Sequence, residues 1–193
     1  MTPDVNVVIS HSEYTVLVVD DVVSNVLLLK VLLTNEKFKV ITAGNGKEAL
    51  SQAVNARPDL ILLDVMMPEM NGFEVAERLK ADPETQHIPI IFLTALNTTA
   101  DIVKGFKVGA NDFISKPFNK EELVIRVTHQ ISLVAAKRII MEQTEELRKI
   151  IMGRDKLYSV IAHDLRSPMG SIKMVLNMLI PVSYTHLTLP TIA

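Results

Sequence analysis

The chain has 193 residues, of which 48% are hydrophobic, and its 20 basic and 22 acidic residues leave a formal net charge of −2 and a pI near 6.2. The near balance of charge argues against a basic surface for phosphate backbones, so we expect no nucleic-acid partner. The absence of cysteine excludes disulfides and thiolate sites, and charged residues interrupt every apolar run before the roughly 20 residues of a membrane span, so we expect a cytoplasmic protein without a membrane segment.

Short apolar runs alternate with helix-like segments along the first two thirds of the chain. Strands that alternate with helices predict a parallel sheet with right-handed crossovers, here an α/β (βα)5 doubly wound fold. Three helices carry start signals at capping-box spacing, from Asn45, Thr98 and Asn119. The predicted strands are Tyr14–Val19, Phe38–Ala43, Leu60–Leu63, Ile88–Leu93 and Phe113–Ser115.

The chain then continues as one long helical stretch that begins near Asn119. Apolar residues along it fit one seam of a two-helix coiled coil, which predicts a homodimer through residues 135–180. The alternative is a solitary amphipathic helix that folds back on the domain, and polar residues on the seam leave the register open. The seam residues are Leu133, Ile140, Leu147, Ile151, Tyr158, Ile161 and Leu165.

Acidic residues end two of the predicted strands. Asp20 and Asp21 follow the first strand, and Asp64 ends the third, in PDLILLDVMMPEMNG. The carboxyl ends of neighbouring parallel strands converge on one crevice, so these carboxylates are expected to meet there. Two anions about 4 Å apart repel by roughly 4 kcal/mol at an effective dielectric near 20, so the cluster requires a proton or a cation. An all-oxygen site favours Mg²⁺ or Mn²⁺.

Two further side chains are predicted to complete this site. Thr94 follows the apolar run IPIIFL and offers a hydroxyl, and Lys116 in DFISKPF brings an ammonium. Both groups suit phosphoryl oxygens. The bond between Lys116 and Pro117 is a candidate for the cis form, which is available essentially to X-Pro bonds.

At these residues, from about Thr15 to Val134, the chain resembles the receiver family of response regulators, whose strand order is 2-1-3-4-5. A dehalogenase-type phosphatase would need an Asp where Met66 stands. The resemblance implies a phosphodonor histidine kinase or phosphotransfer protein as partner. It also implies that Asp64 is the phospho-acceptor. Asp21, Asp64 and the Met66 carbonyl would bind Mg²⁺ directly, and Asp20 would act mostly through water. Thr94 and Lys116 would contact the phosphoryl group, and Phe113 would be the switch aromatic.

A second motif lies near the end of the chain, in the segment RDKLYSVIAHDLRSPMGSIKMVLNML. Its apolar residues recur at helical spacing, and Pro168 is expected to kink the helix. A lone His-Asp pair is usually an exposed part of an amphipathic helix. The surrounding HDLRSP, however, resembles the phosphoacceptor box of the histidine-kinase dimerisation domain (HisKA). That resemblance implies that His163 is a phosphoacceptor and that Asp164 orients its imidazole and takes up its proton.

The tail VSYTHLTLPT matches the conceptual translation of a transposon-type sequencing-library adapter, which predicts that the genuine gene continues beyond about Ile180. ATP would then bind only in a catalytic domain outside this sequence. The predicted organisation is an arm at 1–13, the receiver at 14–134, a helical linker at 135–155, a partial HisKA helix at 156–181 and an adapter artefact at 182–193.

These features support three hypotheses about function. The first is the N-terminal part of a soluble hybrid histidine kinase, in which the receiver controls His163 and the parent protein has a downstream response regulator as partner. The second is a response regulator whose helical tail is a dimerisation or partner-binding output without kinase activity. The third, a receiver-like scaffold that is never phosphorylated, is disfavoured by the intact set of Asp, Thr and Lys residues.

Overall fold

The structure is a computed structural model in which residues 10–95 and 99–184 are described. The chain divides into two compact units, Met1–Arg138 and Ile139–Ala193. The first unit extends past the predicted boundary at 134 because Ala135 is buried in its core and Arg138 forms an ion pair with Asp59 at 2.7 Å.

The first unit is built on a parallel five-stranded sheet with the order β2-β1-β3-β4-β5, which confirms the predicted fold. Each strand differs from its predicted bounds by one or two residues: β1 and β2 begin one residue later, and β3 ends one residue later. β4 begins at Ile90 rather than Ile88 and includes Thr94, and β5 begins at Asp112. The strands are β1 Thr15–Val19, β2 Lys39–Ala43, β3 Leu60–Asp64, β4 Ile90–Thr94 and β5 Asp112–Ser115.

Helices cover both faces of the sheet, which explains the nearly continuous apolar strands. Alternate residues of β1 point to opposite faces, so Leu17 packs in a core with α2 and α3 while Val16 packs in a core with α1 and α5. The central strands β3 and β4 are buried along their whole length. The helices are α1 Val23–Asn35, α2 Gly46–Ala56, α3 Gly72–Ala81, α4 Thr99–Lys107 and α5 Lys120–Tyr184.

Side-chain caps begin several of these helices. Asn45 accepts a hydrogen bond from the Glu48 backbone N–H, and Asn119 accepts one from that of Glu122, as predicted. Asn71 forms a complete capping box at the start of α3, which the sequence analysis missed. The predicted cap at Thr98 lies outside the described residues.

In the second unit, the helix continues through position 168, and the kink at Pro168 stays a prediction. The described part of the helix reaches Tyr184 and thus includes the first residues of the predicted adapter segment, whereas residues 185–193 lie outside the described part. The described side chains from Ile139 onward are exposed. Across the described residues, no helix combines the length and the hydropathy that a membrane span requires.

Candidate phosphoryl-acceptor and cation site

Three carboxylates meet at the carboxyl end of the sheet, as the sequence predicts. Asp20 directly follows β1 and Asp64 ends β3, and they are only 1% and 3% exposed, whereas Asp21 faces solvent. One carboxylate oxygen from each lies within 4.8 Å of the others. Two of the three anions are therefore buried side by side with little access to solvent.

Lys116 bridges the two buried carboxylates. Its Nζ lies 2.8 Å from Asp20 Oδ2 and 2.8 Å from Asp64 Oδ2. Lys116 follows β5, its backbone N–H donates to the Thr94 carbonyl at 2.8 Å, and the Lys116–Pro117 peptide is cis, as predicted. The ammonium thus lies at the point where the acidic cluster is most deeply buried.

The balance of charge in the site shifts the pKa of two groups. Burial raises the pKa of Asp64 above its ordinary value, and the hydrogen bond from Lys116 only partly offsets that rise. Burial acts to lower the pKa of Lys116, but its hydrogen bonds to Asp20 and Asp64 outweigh that effect and leave the pKa raised. Lys116 therefore stays charged, while the Asp64 carboxylate lacks full compensation.

The donor set fits a hard divalent cation. Carboxylate oxygens are the ligands that Mg²⁺ and Mn²⁺ prefer, and the exposure of Asp21 gives an ion a route to the buried pair. The Met66 backbone N–H donates to Asp64 Oδ1 at 3.3 Å, and the Met66 side chain is exposed. That the Met66 carbonyl is a ligand stays a prediction.

A close approach of backbones fixes the position of Asp64. Gly72 begins α3, and its N–H donates to the Val65 carbonyl at 3.0 Å. A Cβ at position 72 would collide with the Asp64 carbonyl oxygen and would come within 2.9 Å of the Val65 Cα. Only glycine therefore allows α3 to pack directly on the end of β3, and this packing sets the position of the Asp64 main chain.

Thr94 and Phe113 lie on the neighbouring strands. Thr94 ends β4, is buried, and pairs in register with Ser115 of β5. The Phe113 ring is half-buried and packs against the rings of Phe92 and Phe106, with centroid distances of 5.7 and 4.9 Å. Thr94 is thus at the same end of the sheet as the acidic cluster, and Phe113 lies within the aromatic contacts that join β4, β5 and α4.

Asn25 of α1 contacts the acidic cluster but is not among the predicted site residues. Its amide Nδ2 lies 3.1 Å from Asp20 Oδ1 and 3.0 Å from Asp20 Oδ2, and the Val22 backbone N–H donates to Oδ1 at 2.9 Å. An asparagine in the first turn of a helix has no distinctive pattern, so no sequence signal marked it.

His163 and Asp164 lie on the exposed helix of the second unit. His163 Nδ1 is 3.4 Å from Asp164 Oδ1, and both side chains are largely in solvent. This arrangement leaves Nε2 of the imidazole away from the carboxylate. The Leu165 side chain, which the sequence places on the seam, lies outside the described part of the structure.

Comparison with known proteins gives one consistent family. The family model for the response regulator receiver domain matches residues 16–128, which is more than half of the chain. The chain is 47% identical over 127 residues to response regulator PleD of Caulobacter vibrioides, covering 66% of this chain and 27% of that protein. It is 46% identical over 112 residues to the DNA-binding response regulator MtrA of Mycobacterium tuberculosis, covering 58% and 48%. The chain thus spans less than half of each relative.

Solved structures show the same similarity. Chemotaxis protein CheY4 of Vibrio cholerae is 35% identical with a TM-score of 0.58, and the match covers 60% of this chain and 97% of that one. The receiver domain of a signal transduction histidine kinase from Syntrophus aciditrophicus is 36% identical with a TM-score of 0.58, covering 62% and 90%.

Proposed function

Because this chain belongs to the response regulator receiver domain family, we propose that it accepts a phosphoryl group on Asp64 from a phosphohistidine, in a reaction that depends on Mg²⁺ or Mn²⁺. The observation that supports this most strongly is the buried pair of carboxylates bridged by Lys116 beside the exposed Asp21. A cluster of this kind combines a nucleophile, cation ligands and a fixed positive charge in one site.

In the proposed reaction, one oxygen of the Asp64 carboxylate attacks the phosphorus atom. A P–O bond forms while the P–N bond of the phosphohistidine breaks, and the electron pair of that bond stays on the imidazole nitrogen. The product is an acyl phosphate on Asp64. The divalent cation, when bound, offsets the negative charge of the carboxylates and the phosphoryl oxygens.

The other site residues have separate proposed roles. Asp21, Asp64 and the Met66 carbonyl hold the cation directly, and Asp20 acts through water. Lys116 and Thr94 donate to the phosphoryl oxygens, since both lie at the end of the sheet where Asp64 is found. Phe113 responds to Thr94 through the aromatic contacts of β4, β5 and α4.

The partner that donates the phosphoryl group needs a docking surface next to this site. The start of α1 adjoins the acidic cluster, since the Val22 N–H donates to Asp20. Large apolar side chains of α1 and of the residue before it are between 45% and 71% exposed. We propose that this face receives the helices of the donor protein. The face consists of Val22, Val23, Leu27, Leu28 and Val31.

We further propose that the chain is part of a soluble, cytoplasmic hybrid histidine kinase in which the receiver controls His163. The HDLRSP motif supports this, as does the similarity to a receiver domain from a protein named as a histidine kinase. His163 would exchange phosphoryl groups with a downstream response regulator, and Asp164 would accept the imidazole proton. The competing candidate is a response regulator without kinase activity, favoured by the names of PleD and MtrA. Genomic sequence past residue 181 discriminates them, because only a kinase requires an ATP-binding domain.

The helix of the second unit supports a homodimer. Its described seam residues are apolar but exposed. Burial of each aliphatic one would stabilise a dimer by roughly 1.5–3 kcal/mol, and there are four: Ile140, Leu147, Ile151 and Ile161. We expect Leu147→Asp to weaken self-association in sedimentation experiments, whereas the matched variant Arg148→Asp, next to it but off the seam, should not. Equal effects of the two variants would contradict the seam.

Binding of fluoroberyllate, a mimic of the phosphoryl group, tests the acceptor site. We expect ¹⁹F NMR to show a bound species only with Mg²⁺ or Mn²⁺, and to show none with Asp64→Asn. The control is Asp59→Asn, which removes a carboxylate near the start of β3, at the opposite end of the strand. Binding to Asp64→Asn, or binding without a divalent cation, would contradict the proposal.

A further inference from the structure

The Asp20 carboxylate accepts hydrogen bonds from three residues in the described part of the structure. The Asp20 side chain has 0% exposure, so its carboxylate depends on hydrogen-bond donors of the protein. In the described part of the structure, its hydrogen bonds come from Lys116, from Asn25 and from the Val22 backbone N–H. Its negative charge is therefore shared between one charged donor and two neutral donors.

Phosphorylation changes the demand on Lys116. In the structure, its ammonium is divided between Asp20 and Asp64, at 2.8 Å from each. A phosphoryl group on Asp64 brings further oxygens to be neutralised at the same place, and they compete with Asp20 for the ammonium. If Lys116 were the main donor to Asp20, its move to the phosphoryl group would leave a buried charge unpaired. An unpaired buried charge is strongly disfavoured, so Asp20 would then oppose the movement of Lys116.

We propose that Asn25 is a positioning residue that allows Lys116 to move from Asp20 to the phosphoryl group, an inference that rests on the phosphorylation of Asp64 proposed above. The Asn25 amide contacts both oxygens of Asp20, so the carboxylate stays in place and remains hydrogen-bonded when the ammonium leaves. The amide is neutral, so it fulfils this role without repelling a cation. A lysine or arginine at position 25 would hold Asp20 but would also repel the cation.

The test uses the full chain and a double-mutant cycle. Asn25→Ala should slow phosphorylation by a small acyl-phosphate donor at saturating Mg²⁺ by about tenfold, the scale of one hydrogen bond to a charged group. In a Lys116→Met background, the same substitution should change the rate by less than about twofold, because no ammonium remains to be released. Asn55→Ala, which removes an exposed asparagine bonded to Ser51 in α2, is the control.

A second readout requires neither metal nor phosphorylation. Without divalent cation, the Lys116 ammonium protons should exchange with solvent more slowly in Asn25→Ala than in the unmodified chain, because Asp20 then depends more on Lys116. NMR of the ¹⁵Nζ resonance measures this. Should Asn25→Ala fail to fold, Asn25→Leu has a similar size, donates nothing to Asp20, and should also slow phosphorylation.

The outcomes separate this inference from the proposed function. Equal slowing by Asn25→Ala with and without Lys116, or unchanged ammonium exchange, would mean that Asn25 only supports the local fold, and would overturn the inference. Phosphorylation of Asp64→Asn at the normal rate would instead overturn the proposed function. A slowing that depends on Lys116, together with slower exchange, supports the positioning role.

Discussion

Replacing Asp64 by asparagine should stabilise the metal-free protein, although it removes the nucleophile. The substitution relieves the repulsion of Asp64 by Asp20 and Asp21, whose oxygens lie within 4.8 Å. At an effective dielectric near 20, each repulsion is worth about 3.5 kcal/mol, whereas the lost attraction to Lys116 at 2.8 Å is worth about 6 kcal/mol. The repulsion by the buried Asp20 thus offsets a little over half of that attraction.

Two further effects adjust this balance. Solvent weakens the repulsion between the exposed Asp21 and Asp64. The burial of Asp64, in contrast, penalises its charged form, in agreement with its raised pKa. We therefore expect Asp64→Asn to raise the free energy of unfolding by about 1 kcal/mol, which corresponds to a rise in Tm of roughly 4 °C for a domain of this size. The assay is thermal unfolding in a chelating buffer, followed by circular dichroism, with Glu77→Gln on the exposed face of α3 as control.

The stability of the unmodified chain relative to Asp64→Asn depends on pH. Because the pKa of Asp64 is raised in the folded protein, folding favours the protonated carboxyl. That contribution to stability is fully present below the ordinary pKa of 3.8 and is lost as the pH rises through the raised pKa. The Tm difference between Asp64→Asn and the unmodified chain should therefore grow over this window and shrink when Mg²⁺ is added. A lower Tm for Asp64→Asn in metal-free buffer at neutral pH would refute the reasoning.

Gly72→Ala should lower stability by about 1–3 kcal/mol in denaturant unfolding, because its Cβ meets the main chain of Asp64, and a neutral result would contradict that contact. Asn71→Ala should cost about 1 kcal/mol through loss of the capping box, measured the same way, whereas an unchanged midpoint would contradict it. Incubation with labelled ATP should leave His163 unlabelled, because the sequence shows no Gly-rich phosphate loop; label on His163 without an added kinase would contradict this.

The sheet and the acidic cluster were predictable because they depend on features of the sequence itself. Continuous apolar runs predict strands buried on both faces, and residues that end parallel strands must share one edge of the sheet. These two rules are enough to bring Asp20, Asp64 and Lys116 together. The strand order, in contrast, came only from the family resemblance, since hydrophobic pattern alone does not fix which strands are neighbours.

The features that the sequence did not reveal depend on distances in three dimensions. Asn25 matters because the first turn of α1 places its amide against Asp20, and Gly72 matters because α3 approaches the main chain of Asp64. Neither residue type is unusual where it stands. The helix also continues through position 168, because a proline removes one backbone donor without necessarily ending a helix.

The most direct test of the central claim is to locate the phosphoryl group. The chain is incubated with a small acyl-phosphate donor and Mg²⁺, and the modified residue is identified by reduction of the acyl phosphate followed by peptide mass spectrometry. We predict modification at Asp64 alone, none without a divalent cation, and none in Asp64→Asn. Full labelling of Asp64→Asn, or a modified residue other than Asp64 in the unmodified chain, would contradict the account.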